Sequence, residues 1–435
     1  MKRAAMKYLI RWKENKNRKP LIIKGARQVG KTWLMKEFGK KYYEKIAYIN
    51  FENAPNLKNI FATDYHIDRI ILALEIETGI KIESHNTLII FDEIQEVEKG
   101  LTALKYFYET APQYHILAAG SSLGISLHKN VSFPVGKVDF LQLYPLTFIE
   151  FLEAVQQNGL QKIICEANWE LMKVFKNKLI EYLKIYLFTG GMPEVVQSYI
   201  DYKDFHKIRD IQKKILMGYE LDFSKHAPIE SVPKIRMLWQ SIPGQLSKEN
   251  KKFIYSAVKK GARAKDFEVA LNWLRDSGLV YKIHRIKKPA LPLSAYEDFN
   301  AFKLYLLDAG LLGAMTDLSP KTIINENKIF EEFKGTLTEQ YVLQELKYYL
   351  SEHIYYWAAG NSRAEIDFIF QYRDYIYPVE VKAKENLQSK SLKFFYTKYP
   401  YTQPLRISMS DYRRETWLTN IPLYAVCSIF QNTSS

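Results

Sequence analysis

The sequence predicts an α/β protein with a parallel-sheet core, a helical and winged-helix middle region, and a second α/β region at the C-terminal end. Three observations favour this class. Short apolar runs of buried-strand type alternate with helical patterns at first, two short helices and a strand follow in the middle, and a helix then precedes alternating strands. A chain of 435 residues also exceeds what one core usually holds. We place the three regions at 1–190, 191–300 and 301–435.

The composition is that of an ordinary folded chain, because 47% of the residues are hydrophobic and 14% are aromatic. No run approaches the roughly 18 apolar residues that a membrane helix needs, and Arg11 and Lys13 interrupt the short apolar stretch near the start. We therefore expect neither a membrane span nor a signal peptide. Cys165 and Cys427 are too few for a disulfide framework or a cysteine-based zinc site, so a cytoplasmic location fits.

The basic charge is concentrated in two segments. The formal net charge of +14 arises largely from residues 1–45 and 245–290, and the remaining residues are mildly acidic in sum. This distribution excludes a general nucleic-acid-binding coat and predicts two local sites for anionic partners.

The first basic segment contains a phosphate-binding pattern. A short apolar run, Leu21 to Ile23, is followed by the sequence GARQVGKT and then by a helical pattern that begins at Trp33. The glycines of such a loop let backbone N–H groups point at phosphates, the lysine reaches the β- and γ-phosphates, and the threonine hydroxyl serves Mg²⁺. The helix N-terminus also favours anions. The predicted ATP-binding residues are Gly25, Ala26, Arg27, Gln28, Val29, Gly30, Lys31, Thr32 and Trp33.

Two acidic residues end a second apolar run, Leu88 to Phe91. We expect Asp92 to join Thr32 in the Mg²⁺ shell, and Glu93 to act as the catalytic base that polarises water for attack on the γ-phosphate, with Lys31 assisting. A third apolar run starts at His115 and leads to Ser121, where the hydroxyl is placed to sense the γ-phosphate; a plain loop is the alternative.

The second basic segment predicts a winged helix. Two short helices, the second over residues 264–276 with an apolar face, precede an alternating strand after Gly278. Basic side chains on this module are suited to DNA phosphates, although a lid or connector with solubilising lysines has the same pattern. The basic residues are Lys259, Lys260, Arg263, Lys265, Arg275 and Arg285.

The C-terminal region carries carboxylates in a recognisable order. Glu339 falls on a helix, Asp367 on a strand, and Glu380 and Lys382 share one face of the next strand, because side chains alternate with a period of two. This order resembles the PD-(D/E)xK nuclease fold. The resemblance implies that Asp367 and Glu380 bind Mg²⁺, that Glu339 completes the shell, and that Lys382 activates water for phosphodiester hydrolysis. The alternative is a nuclease-like scaffold that binds nucleic acid or protein without cutting.

Several motifs together resemble a family of prokaryotic AAA-type ATPases. They are GARQVGKT, LIIFDEIQ, ILAAGSSLG, the stretch from Phe133 to Phe151, the GGMP turn at 190–193, the run LYLLDAGLL at 304–312 and the far C-terminus. The resemblance implies that the GGMP turn contacts nucleotide, with a helix-ending turn as the alternative. From their positions in the phosphate loop and after Gly136, Arg27 and Lys137 are candidates for a cation that faces a neighbouring subunit of an oligomer, with an ordinary surface role as the alternative for either.

The sequence thus predicts a Mg²⁺-dependent enzyme that hydrolyses ATP to control a nucleic-acid-processing C-terminal region. Its partners are ATP and DNA, the latter through the winged-helix and C-terminal regions. The alternative is a nucleotide-dependent switch that binds DNA or a protein partner and cuts nothing.

Overall fold

The computed structural model describes residues 1–431 except positions 58, 63, 98, 121–133, 135, 249–250, 321–330, 351–352, 361–363 and 384–387. The chain forms two compact units. The N-terminal unit comprises Lys2–Tyr144 with Asn272–Leu279, and the C-terminal unit comprises Pro145–Leu271 and Val280–Ser435 together with Met1. The first division thus follows Tyr144, whereas the sequence led us to expect it after residue 190. No helix in the described part of the chain is long and apolar enough to span a bilayer.

The N-terminal unit is built on a five-stranded sheet. All its strand pairs are parallel, in the order β2-β3-β4-β1-β5. This confirms the predicted parallel-sheet core. The elements are α1 (Ala5–Glu14), β1 (Leu21–Lys24), α2 (Lys31–Tyr42), β2 (Lys45–Asn50), α3 (Ile67–Thr78), β3 (Thr87–Asp92), α4 (Gly100–Thr110), β4 (His115–Ala119) and β5 (Asp139–Gln142).

Burial on both faces explains why these strands read as continuous apolar runs. Every residue of β3 and β4 is buried, as expected when helices cover both sides of a parallel sheet. On one side, aromatic rings pack against one another in edge-to-face and tilted pairs with centroids 5.5–6.2 Å apart. These rings belong to Phe51, Phe61, Phe91 and Phe107, and they fix β3 next to β2 and α4.

The C-terminal unit begins with helices and ends with an eight-stranded sheet. Its strand order is β12-β13-β11-β10-β9-β8-β6-β7. The helices are α5 (Phe148–Ala154), α6 (Asn158–Cys165), α7 (Trp169–Val174), α8 (Lys176–Thr189), α9 (Pro193–Tyr202), α10 (Phe205–His226), α11 (Val232–Leu246), α12 (Tyr255–Val258), α13 (Ala264–Asp276, shared with the other unit), α14 (Ala309–Met315), α15 (Glu331–Leu350) and α16 (Lys390–Lys398).

The strands of this sheet run from the basic segment to the C-terminal end of the chain. They are β6 (Val280–Ile286), β7 (Glu297–Leu306), β8 (Ile354–Ala358), β9 (Glu365–Tyr372), β10 (Tyr375–Lys382), β11 (Leu405–Ser408), β12 (Arg413–Arg414) and β13 (Thr419–Pro422). The helix α13 has the predicted bounds, and its predicted apolar face is buried. The strands β6 and β7 form an antiparallel pair within the large sheet, so the expected boundary at residue 300 falls inside β7.

Buried polar side chains connect the helices of the C-terminal unit. Thr147 and Glu150 form a capping box at the start of α5, and the N–H of Phe148 donates to Glu345 Oε1 at 2.8 Å. Glu345 lies on α15 and is 1% exposed. Burial raises its pKa to about 8, and the nearby Glu150 carboxylate adds to this rise. The start of α5 is therefore fixed by a carboxyl group that is protonated near neutral pH.

We expect Glu345→Gln to reduce the loss of stability at rising pH. Because the folded state holds this proton more tightly than the unfolded chain, the free energy of unfolding falls between about pH 4.5 and pH 8, by at most about 1.4 kcal/mol per pH unit. The amide oxygen of glutamine still accepts the Phe148 N–H but carries no charge. Denaturant titrations from pH 5 to pH 8 measure the slope.

The exposed Glu181→Gln variant is the matched control, and it should follow the wild type. Equal pH slopes in wild type and Glu345→Gln would contradict the assignment.

Candidate nucleotide and acidic sites

The phosphate-binding loop lies where the sheet order reverses, between β1 and α2. Its backbone takes left-handed conformations at Gln28 (φ 68°) and Gly30 (φ 95°). Gly25 permits a close approach of the chain, because a Cβ there would lie 2.3 Å from the carbonyl oxygen of Leu143. No side chain caps the first turn of α2, so its N–H groups are available to an anion. The loop thus has the geometry that the sequence predicts for phosphate binding.

Lys31 is directed into this loop. Its Nζ donates to the carbonyl oxygens of Gly25 at 2.9 Å and Ala26 at 2.8 Å. Burial lowers the pKa of Lys31 to about 8, although the carboxylates of Glu93 and Asp92 oppose this shift. A cation that is buried against neutral carbonyls gains strongly from an anionic phosphate, so the residue fits the role predicted for it.

Thr32 and Asp92 meet across the gap between α2 and β3. The Thr32 hydroxyl donates to Asp92 Oδ2 at 2.6 Å, and Asp92 is 2% exposed. A hydroxyl and a carboxylate at this position are oxygen ligands suited to Mg²⁺, which binds through few protein groups beside phosphates. Glu93 follows at the strand end, with a left-handed backbone (φ 50°) and a hydrogen bond from Gln95 Nε2 to its carboxylate. These residues therefore fit ATP with Mg²⁺.

Sequence reasoning missed two residues at this site. Tyr48 lies on β2, next to β3, and donates its hydroxyl to Asp92 Oδ2 at 3.0 Å. This hydrogen bond helps to hold the carboxylate in place. Arg3 is 6% exposed and donates from Nη1 to the Val29 carbonyl at 2.9 Å and from Nη2 to the Tyr144 carbonyl at 2.6 Å. The parallel pairing of β2 with β3 could have suggested Tyr48, but a lone arginine before α1 carries no signal of its partners.

The other residues predicted for the nucleotide site differ in what the structure shows of them. Trp33 is 42% exposed on α2. Lys137 pairs with Glu109 of α4 at 2.9 Å, an ion pair within the unit. Ser121 lies outside the described residues, so its predicted role stays a prediction. The same holds for the predicted roles of Arg27 in binding nucleotide and in facing another subunit.

The GGMP turn has its contacts within the C-terminal unit. Gly190 ends α8 with a left-handed φ of 69°, and a Cβ there would lie 2.1 Å from Asp308 Oδ1. The N–H of Gly191 donates to Asp308 Oδ2 at 2.6 Å. A Cβ at Gly191 would lie 2.1 Å from the carbonyl oxygen of Leu146, so both positions need glycine. The observed turn matches the helix-ending alternative. Its predicted contact with nucleotide stays a prediction.

The C-terminal carboxylates lie on the predicted elements. Glu339 is on the helix α15, Asp367 on β9, and Glu380 and Lys382 on β10. The strands β9 and β10 pair antiparallel through the turn between Tyr372 and Tyr375, as expected. Asp367 Oδ2 accepts the backbone N–H of Val381 at 2.8 Å, so it lies directly beside the Glu-Val-Lys segment.

Lysines, however, provide the charge that neutralises this cluster. Lys251 Nζ lies 2.5 Å from Glu339 Oε1, Lys382 Nζ lies 2.9 Å from Glu380 Oε1, and the fully buried Lys303 pairs with Glu365. Burial alone would raise the pKa of Glu339, but Lys251 and Lys303 lower it overall. Burial raises the pKa of Asp367, and Glu339 adds to the rise.

This pairing corrects one expectation about the site. Among the residues that the structure describes, no group of three or more His, Cys, Asp or Glu side chains is arranged to hold a metal ion. Glu339 therefore does not complete a metal shell with Asp367 and Glu380 in this conformation, because the ammonium of Lys251 is bound to its carboxylate.

Four of the predicted DNA-contacting residues are available on the surface of the C-terminal unit. Lys259, Lys260, Arg263 and Lys265 are exposed at and before the start of α13. Arg285 instead donates from Nε and Nη2 to Asp298 Oδ2, at 3.1 and 2.6 Å. Arg275 pairs with Asp276 at 2.9 Å and belongs to the N-terminal unit. The contact of all six residues with DNA stays a prediction.

We expect Arg3→Ala to weaken ATP binding, because it removes the donor from a loop carbonyl and from the Tyr144 carbonyl. Leaving buried carbonyls without a donor costs about 1–3 kcal/mol, and the loop that binds phosphate loses its support. Arg3→Lys should recover part of the affinity, since one ammonium can replace one of the two bonds. Equilibrium binding of a fluorescent ATP analogue measures the effect.

Lys7→Ala, an exposed change on α1, is the control and should bind as the wild type does. Unchanged ATP affinity in Arg3→Ala would show that Arg3 contributes to the fold but not to ATP binding.

Comparisons with known proteins match three parts of this chain with family models. Residues 17–152 match the family model described as an AAA domain. Residues 180–322 match a domain of unknown function, DUF8612, and residues 334–425 match another, DUF4143. A search of curated proteins finds no match.

Similar solved structures include two that each cover 72% of this chain. A Walker-type ATPase of Pyrococcus abyssi is 14% identical, with 94% of its own chain covered and a TM-score of 0.43. The Orc1 protein of Aeropyrum pernix, in complex with DNA, is 10% identical, with 90% covered and a TM-score of 0.27. These scores are too low to carry an argument. The match over residues 17–152 and the loop geometry identify the N-terminal region as a P-loop domain of the AAA ATPase type.

Proposed function

We propose that this chain is a Mg²⁺-dependent ATPase whose nucleotide cycle controls the C-terminal unit. The observation that carries this proposal is the hydrogen bond between Thr32 and Asp92, beside the buried ammonium of Lys31. The loop N–H groups and Lys31 bind the phosphates, and Thr32 and Asp92 hold the metal ion. Bound Mg²⁺ would neutralise charge on the β- and γ-phosphates. Glu93 orients the attacking water and accepts its proton.

The ATPase proposal predicts different effects for the two central residues. Lys31→Ala should weaken ATP binding, because it removes the charge that faces the phosphates. Glu93→Gln should leave binding intact and lower turnover by two orders of magnitude or more, as expected when a general base is lost. Phosphate release and equilibrium binding of ATP measure the two effects separately.

Lys40→Ala, an exposed change on the same helix, is the matched control for Lys31→Ala. Normal turnover in Glu93→Gln would contradict the assignment of Glu93 as the general base.

For the C-terminal unit, we infer that the exposed basic residues near α13 contact DNA weakly and with little sequence preference. The charge supports phosphate contacts, whereas no set of base-reading side chains is evident in the sequence of this segment or among its described residues. Changing Lys259, Lys260, Arg263 and Lys265 to Glu should therefore lower affinity for DNA of any sequence. Each lost phosphate contact should also reduce the slope of log affinity against log salt by about 0.9. Fluorescence anisotropy at several salt concentrations measures both.

The control variant has the same change in net charge at four other exposed lysines of the same unit. In it, Lys173, Lys178, Lys214 and Lys234 are changed to Glu. A loss of affinity as large in this control would place the DNA contact elsewhere.

The carboxylates of Glu339, Glu365, Asp367 and Glu380, here called the acidic cluster, are compatible with two different functions. The ion pairs of Lys251 and Lys303 favour a scaffold that cuts nothing, because they neutralise carboxylates that a metal would otherwise hold together. The proximity of Asp367, Glu380 and Lys382 favours phosphodiester hydrolysis. A nicking assay on supercoiled DNA with Mg²⁺ or Mn²⁺, with and without ATP, separates the two. Nicking by the wild type that Asp367→Ala abolishes would select the nuclease.

A further inference from the structure

One surface of the C-terminal unit combines exposed aromatic rings with lysines. It lies along α16, which buries Leu392 and Phe395 in a core shared with strands of the large sheet. Phe394, between them in sequence, is 48% exposed instead. Its ring centre lies 6.4 Å from that of Trp357 on β8. Single exposed apolar side chains are common on protein surfaces, so this ring is informative only together with its neighbours.

Further rings continue from Trp357 in a row. The Trp357 ring centre lies 6.3 Å from that of Tyr399, which in turn lies 6.2 Å from that of Tyr401. Tyr401 is 56% exposed, and its hydroxyl donates to the carbonyl oxygen of Pro289 at 2.9 Å. This hydrogen bond holds the Tyr401 ring beside the loop that follows β6. The four rings, here called the aromatic row, thus have a partly exposed and positioned ring at each end, Phe394 and Tyr401.

Lysine ammonium groups lie over rings in and next to the aromatic row. Lys398 Nζ is 5.4 Å from the centre of the Tyr399 ring, and Lys288 Nζ is 5.9 Å from that of Tyr296. Tyr296 in turn acts electrostatically on Tyr401, so it lies close to the end of the row. An ammonium within about 6 Å of a ring centre is attracted by the ring, which keeps the positive charge at the aromatic surface.

The two chain segments that supply most of this surface carry positive charge only. Residues 286–296 and 386–410 contain Lys or Arg but no Asp or Glu. A partner for this surface therefore combines negative charge with flat apolar groups. The exposed lysines of the two segments are Lys287, Lys288, Lys390, Lys393 and Lys398.

A nucleic-acid strand with unpaired bases has this combination. Its phosphates repeat along the backbone, and every base has a π-face that stacks on an exposed aromatic ring. In a duplex the bases are paired and stacked on one another, so such rings could reach the phosphates and groove edges but not the base faces. The aromatic row with its lysines is therefore suited to a single strand.

We propose that the aromatic row binds single-stranded DNA, with bases stacked on Phe394 and Tyr401 and phosphates close to Lys288 and Lys398. The choice of DNA rests on the proposed DNA contact near α13, which belongs to the same unit. The choice of a single strand does not, because it follows from the exposed rings. The inference goes beyond the contact near α13, since stacking distinguishes unpaired from paired bases and exposed charges alone do not.

Fluorescence anisotropy of full-length, nucleotide-free protein with labelled strands tests the inference. One strand contains about 16 deoxyuridine nucleotides, and the other is abasic and equally long. The wild type should bind the strand with bases at least tenfold more tightly. Changing both Phe394 and Tyr401 to Ala should abolish this preference, whereas Phe394→Tyr combined with Tyr401→Phe keeps both rings and should retain it. Lys288→Gln and Lys398→Gln should weaken the binding of both strands alike, because both contain phosphates.

Tyr202→Ala is the matched control, since it removes a 60% exposed ring from α9 of the same unit and should behave as the wild type does. Where the double Ala variant fails to fold, Phe394→Ser alone serves, and it should reduce the preference at least threefold. The inference is overturned if the wild type binds the abasic strand equally well or if the ring changes leave the preference intact. Tighter binding of uridine RNA of the same length would also overturn it.

The preference for a strand with bases separates this inference from the proposed function. It compares two strands of equal charge, so changing Lys259, Lys260, Arg263 and Lys265 to Glu should leave the preference unchanged. The measurement also needs no ATP. A failure of the aromatic row is therefore distinguishable from a failure of the DNA contact near α13 and from a failure of the ATPase proposal.

Discussion

The parallel pairing of β1 with β4 and β5, and of β3 with β2 and β4, is the constraint on which the nucleotide site depends. Parallel strands bring their carboxyl ends to one edge, so the loop after β1 and the acidic residues at the end of β3 meet there although 60 residues separate Thr32 from Asp92. The apolar strands gain their stability from burial on both faces. The polar groups at the strand ends, in contrast, lie where they can bind phosphate and a metal ion.

Buried charge imposes the second constraint, and the two units satisfy it differently. Lys31 donates to two backbone carbonyls, which are neutral, while the carboxylates of Asp92 and Glu93 act on its charge without lifting its pKa back to the usual value. Such an environment favours a phosphate. In the acidic cluster, lysines from a loop and from a strand of the sheet already balance most of the charge. The first site is suited to an anion, whereas the carboxylates of the second are largely neutralised by lysines of the same chain.

The sequence was informative where residues close together in the chain act together. The loop from Gly25 to Thr32, the helix α13 and the pairing of β9 with β10 could all be predicted, because each depends on local spacing and periodicity. Contacts between distant segments could not. Arg3 reaches Val29 and Tyr144, and Lys251 reaches Glu339, through side chains whose partners no spacing rule identifies. The division after Tyr144 likewise depends on which elements pack together in space.

The most direct test of the account is the Mg²⁺ dependence of ATP hydrolysis in Asp92→Asn. Asparagine keeps an oxygen that accepts the Thr32 hydroxyl, so the local fold should persist while the charge that holds the metal ion is lost. The account predicts that the variant binds ATP and needs at least tenfold more Mg²⁺ for half-maximal turnover. An unchanged Mg²⁺ dependence would contradict the placement of the metal ion at Thr32 and Asp92, and with it the proposed nucleotide site.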